Sequence, residues 1–163
     1  MHPFIAKNLI YHPIQLIRGQ SIRRYLHQTV LSQYVSTEEL NEIRDKKIYN
    51  LIRYAYAHIP YYHEKFNEGD INLDRIKGYE DLTYLPILSK LDILNHEHKL
   101  ISSSCNQKMY ARKTSGSTGM TLHFQKEARA LALNDAIMYR CYSWYGIDIG
   151  DKQVRFWGVP VTP

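Results

Sequence analysis

The sequence predicts an α/β fold in which N-terminal helices are followed by the start of a mixed sheet. Apolar residues recur at helical spacing through residues 36–59 and again through 127–144. After residue 105 the pattern changes to strand, loop, strand, helix, strand, and five of the eight glycines fall between Gly116 and Gly158. A chain of 163 residues, 44% hydrophobic and 23% charged, is long enough and apolar enough to bury a core.

The pattern divides the chain into a basic helical arm over 1–35, a helical segment over 36–105 and an α/β part over 106–163. Residues 1–37 carry Lys7, Arg18, Arg23 and Arg24 and no acid, so the remaining 17 Lys and Arg face all 16 acids. A body so nearly neutral excludes a broad nucleic-acid surface. Lys7 interrupts the first apolar stretch and no small-residue cleavage site follows, which excludes a secretory signal. No apolar run is long enough for a transmembrane helix. Two cysteines, Cys105 and Cys141, suit a reducing, cytoplasmic compartment. Ile14, Ile17, Ile22, Tyr25, Leu26 and Val30 share a helical face, weakened by Gly19. This helix either packs with solvated arginines, the commoner use, or makes peripheral contact with an acidic membrane surface.

Ser36, with Glu39 three residues on, caps a helix whose stripe is Leu40, Ile43, Ile48, Leu51, Ile52, Ala55 and Ile59. Pro60 ends it, and a short helix over Tyr61–Asn67 runs to Gly69. Tyr54, Tyr56, Tyr61 and Tyr62 can stack on bases, but packing between the two helices is the favoured use. Residues 70–88 are irregular. Ser89 and Asp92 then cap a helix to about His98. His96 and His98, two apart, point in different directions on a helix, so no metal site is expected. Lys108–Lys113 and Thr121–Gln125 read as strands, Glu127–Trp144 as a helix so apolar that it is largely buried, and Gln153–Val159 as a strand.

Between the first two strands stands Thr114-Ser115-Gly116-Ser117-Thr118-Gly119, with four hydroxyls, two glycines and no bulky side chain. Glycine permits positive φ and close backbone approach. Successive amides in such a turn converge on an anion, and hydroxyls add donors to phosphate oxygens. Lys113 and Lys126 supply nearby positive charge. The loop is neither a Walker A sequence nor a Rossmann turn. Composition alone also fits an exposed hairpin turn.

This loop resembles the Ser/Thr/Gly-rich phosphate loop of adenylate-forming enzymes. Ile48–Phe66 (IYNLIRYAYAHIPYYHEKF), Leu85–Leu94 (LPILSKLDIL), the loop and Trp144–Asp151 (WYGIDIGD) stand in the order found in phenylacetate–CoA ligase-like proteins, a branch that includes proteins of capsular polysaccharide gene clusters. The resemblance covers residues 36–159. It implies that 106–163 is the first part of a nucleotide-binding domain and that the chain is the N-terminal portion of a longer ligase.

Such enzymes activate a carboxylate with ATP and Mg2+ to an acyl-adenylate, then pass the acyl group to a thiol such as coenzyme A. The resemblance makes Thr114, Ser115, Gly116, Ser117, Thr118 and Gly119 the candidate phosphate-binding residues. Where many acyl-CoA synthetases continue with Pro and Lys, this chain has Met120 and Thr121. Lys113, Lys126 or magnesium is left to neutralise the phosphates. The family's later adenine, ribose and lid elements have no counterpart in these 163 residues. The expectation is a chain inactive alone that pairs with a C-terminal part. A non-catalytic interaction module or split subunit keeping the fold is the alternative.

Overall fold

The computed structural model describes residues 1–106, 108–114 and 121–154. They are mixed helical with a small two-stranded antiparallel sheet, and form two compact units. One unit comprises Met1–Tyr34 and the described residues of Gln107–Pro163; the other is Val35–Asn106.

The first unit begins with a helical run: α1 (Pro3–Ile5), a π-helical turn (Ala6–Tyr11) and α2 (His12–Ile17). Pro13 accounts for the wide turn. It has no amide to donate, and its ring crowds the carbonyl four residues back, at Leu9 inside the π turn. The expected helix across Ile14–Val30 is broken. Gly19 adopts φ +70°, a conformation that costs glycine nothing, and α3 (Arg23–Leu31) starts afresh after Ile22. Ile22 is fully buried and Tyr25 and Leu26 pack beside it, whereas Ile14 and Ile17 are exposed. The apolar spacing continued across the break without describing one helix.

β1 (Met109–Lys113) pairs with β2 (His123–Glu127), and α7 (Ala128–Ser143) follows directly. The Ala128 amide donates to the Lys108 carbonyl at 2.9 Å, fixing the helix start to the strand end. On α7, Ala128, Ala132, Ala136 and Tyr139 are buried, and α3 packs on this face. The core is Ile22, Ala132, Ala136, Tyr139 and Ile149. Leu133, Ile137 and Trp144 are exposed, so α7 buries one stripe and not its whole circumference. Its alanines let neighbours approach on a single edge. Gln153 and Val154 are irregular, and the rest of the expected strand over 153–159 lies outside the described residues.

Tyr11 meets Tyr139 edge-on, with ring centroids 5.8 Å apart. Burial, with the neighbouring Tyr139 and Asp135, raises the Tyr11 hydroxyl far above the usual tyrosine range. Lys7 pairs with Asp148. Burial pushes the Asp148 carboxyl up, but the Lys7 ammonium and the Ile149 amide outweigh it and hold the group below the ordinary value. Burial, then Arg23 and Lys7, push the His12 imidazole down.

The His12 shift has a defined sign. The folded imidazole titrates below its unfolded counterpart, near 6.5, so the unfolded chain takes the proton first. The contribution is complete above that value and is lost as pH falls through the folded one. Thermal midpoints of the parent chain should fall between pH 7.5 and 5.5, and His12→Gln should flatten the slope. An unchanged slope contradicts the assignment.

In the second unit, α4 (Thr37–His58) is capped by Ser36, whose Oγ accepts from the Glu39 amide at 3.1 Å. α5 (Pro60–Glu68) packs on it and ends at Gly69. The predicted α4 stripe is used only in its later half. Ala55 is buried and Ile48 and Ile52 half-buried, while Leu40, Ile43 and Leu51 are exposed. Tyr61 and Phe66 are buried, and the Tyr56 and Tyr62 rings lie against Phe66. Three of the four tyrosines therefore pack as favoured. Tyr54 instead bonds through its hydroxyl to Ser102 Oγ at 2.6 Å.

Single 3-10 turns occupy Leu73–Arg75 and Glu80–Tyr84. Arg53 holds this stretch, donating to the carbonyls of Leu73 and Ile76 with its guanidinium over the Tyr49 ring. Ser89 and Asp92 form a complete capping box on α6 (Lys90–Asn95). That helix stops at His96, short of His98. The His96 backbone leaves the helical region, its Nδ1 lies 2.9 Å from the Asp92 carbonyl, and its ring rests against Tyr61. A 3-10 turn over Glu97–Leu100 follows.

Candidate functional site

The hairpin presents the candidate loop. Its ladder runs Met109↔Glu127, Tyr110↔Lys126, Ala111↔Gln125, Arg112↔Phe124 and Lys113↔His123. Beyond the last pair, the Thr114 amide donates to the Leu122 carbonyl at 3.0 Å, and the Leu122 amide donates to Thr114 Oγ1 at 3.0 Å. Thr114 thus closes the hairpin and its amide is spent there. Among the described residues its hydroxyl proton has no acceptor. Ser115, Gly116, Ser117, Thr118 and Gly119 lie outside the described residues. At the other end, the Tyr110 hydroxyl donates to the Arg18 carbonyl at 2.8 Å, tying β1 to the chain that follows α2.

The register separates the two lysines. Directly opposed residues share a face of the sheet, and successive residues alternate. Lys113 and His123 therefore lie together on one face at the loop end. Lys126 lies on the other face, three pairs away, or about 10 Å along the strand at the usual rise. Only Lys113 of the two is placed at the loop mouth. His123 is its cross-strand partner and was not legible from the sequence, because the second strand begins two residues later than its composition suggests.

The residues at this end fit a phosphate. Exposed Lys113 carries fixed positive charge, exposed His123 adds a ring nitrogen, and Thr114 adds a hydroxyl. The fit to Mg2+ is poorer. The acid of the hairpin is Glu127, paired with Met109 at the end away from the loop. A magnesium ion here would meet phosphate oxygens and hydroxyls, not a carboxylate of this hairpin. Among the described residues, no group of three His, Cys, Asp or Glu is gathered to hold a metal ion.

A hairpin bearing cation and hydroxyl at its mouth defines, at most, an anion-facing element. The comparisons are more specific about class. No family model matches the chain. A phenylacetate–coenzyme A ligase from Thermus thermophilus is 27% identical to it over 59 residues. The matched stretch is 36% of this chain and 13% of that enzyme. The similarity is thus to a ligase and is partial, and the chain meets only a small fraction of the relative's length.

Proposed function

We propose that this chain contributes the phosphate-binding hairpin of an ATP-dependent, carboxylate-activating ligase of the adenylate-forming kind. The observation that carries the reading is the closure of Thr114 on Leu122, which follows the last pair of the ladder, Lys113 and His123. The partial similarity to a phenylacetate–coenzyme A ligase supports the same class.

In this reading the amides and hydroxyls of Ser115–Gly119 hold oxygens of the ATP triphosphate. Lys113 neutralises charge that builds on pyrophosphate as it leaves, with His123 and the Thr114 hydroxyl as further donors. Mg2+ would meet the Thr114 hydroxyl at this end of the hairpin and would help to neutralise the phosphate charge. Carboxylate and adenine recognition, and transfer to coenzyme A, fall to a C-terminal part, with which this chain associates in the cytoplasm. Alone it binds nucleotide weakly and does not turn over.

Calorimetric titration of the full chain with MgATP tests this. Binding should be weak and should fall about tenfold with Lys113→Met, the size expected for one charge-assisted contact. Gly116→Val with Gly119→Val should abolish it with the circular dichroism spectrum unchanged. Carboxylate-dependent pyrophosphate exchange should be undetectable. No heat from MgATP in the parent chain would replace this reading with the non-catalytic interaction module. Exchange activity by the chain alone would overturn the division of labour.

A further inference from the structure

The first helical run has an apolar outer face for which the core of its unit has no use. α-Helix and π-helix contribute 3.6 and about 4.4 residues per turn, so a run that mixes them keeps residues four apart in line. Lys7, Tyr11 and Gln15 accordingly point one way: Lys7 pairs with Asp148, Tyr11 packs on Tyr139, and Gln15 is buried. Ile5, Leu9, Pro13 and Ile17, also four apart, are all exposed, Leu9 at 67% and Ile17 at 84%. Phe4, Ile10, Ile14 and Leu16 flank them and are exposed too. No charged residue interrupts this face.

The charge that follows is of one sign. Arg18, Arg23 and Arg24 are exposed, and residues 1–37 hold no acid. Among the described residues none of these three arginines is in an ion pair with a carboxylate. The run is about 22 Å long at the helical rise, too short to cross a bilayer, and among the described residues no helix is long and apolar enough to do so.

We propose that this face seats in the headgroup region of an anionic lipid bilayer, with the helix in the membrane plane and the arginines on the lipid phosphates. Arg18 stands with Ile10 and Ile14, and Arg23 with Phe4, at the edges of this face, with Asp148 and Asp151 nearby; cations bordering an apolar face match that surface. This surface is separate from the loop end of the hairpin and does not rest on the ligase reading.

Co-sedimentation of the full chain with vesicles tests the proposal. Phosphatidylcholine mixed with phosphatidylglycerol should bind it, and phosphatidylcholine alone should bind it on the order of a hundredfold less, at about fivefold per arginine. Leu9→Asp with Ile17→Asp should remove binding to the mixed vesicles. Arg18→Gln, Arg23→Gln and Arg24→Gln together should reduce it to the neutral-vesicle level, which keeps the test decisive if the aspartate pair misfolds. Equal binding to both vesicle types, or no binding to either, overturns the proposal. So does sedimentation equilibrium showing a lipid-indifferent dimer that the aspartate pair dissociates.

Discussion

Gly150→Ala is expected to destabilise the chain by about 3 kcal/mol, the sum of backbone strain and overpacking in one side chain. Gly150 sits at φ +98°, where residues with a Cβ are strained. A Cβ there would also run into the Pro3 carbonyl and come within 3.1 Å of the Lys7 amide nitrogen. The α1 end and the 148–150 turn, which Lys7 and Asp148 also join, would be forced apart. Gly146 is the internal control. It too has positive φ, at +71°, but nothing lies near its missing side chain. Gly146→Ala should cost only the conformational part, about 1 kcal/mol. Urea midpoints for the two variants measure the difference, and equal losses would contradict the close approach at Gly150.

Phe66→Ala should cost about 4 kcal/mol, the range found when a buried aromatic side chain is truncated. Phe66 is 3% exposed at the centre of its unit, with the Tyr56 ring parallel to it and the Tyr62 ring 5.7 Å away. Tyr56 is not free to collapse into the space, because it is held through its hydroxyl to Asn67 at 3.0 Å. Phe66→Leu keeps most of the volume and should cost about 1 kcal/mol. Denaturant titration compares the pair. A small loss for the alanine variant would mean that this aromatic group is not the core of Val35–Asn106.

What was legible in the sequence follows the range of the forces involved. Ser36 over Glu39, Ser89 over Asp92, Pro60 as the stop of α4 and Gly69 as the stop of α5 act within one turn, and each stands where the residue types placed it, although α5 begins at Pro60 itself and not at Tyr61. The hairpin was legible in kind from alternation and the glycine-rich connection. Its register was not, since that depends on which residue of β2 meets Lys113, and a shift of two residues kept the faces but hid His123. The break at Gly19 and the burial of α7 on a single alanine edge were equally hidden. Both depend on residues about a hundred positions apart, Ile22 and Ala132 among them, sharing one core. The candidate loop was singled out by composition, because hydroxyls and glycines in sequence are groups able to bind an anion, and all of it beyond Thr114 lies outside the described residues.

The central claim is that Thr114–Gly119 hold phosphate, and a residue-resolved amide titration tests it most directly. Nitrogen-15 spectra of the full chain would be recorded with magnesium pyrophosphate, MgATP and adenosine. The first two should shift the amides of Ser115–Gly119 and those of Lys113 and His123 beside them, and adenosine should leave them in place. Shifts confined to other parts of the chain, or the same shifts from adenosine as from pyrophosphate, would contradict the claim.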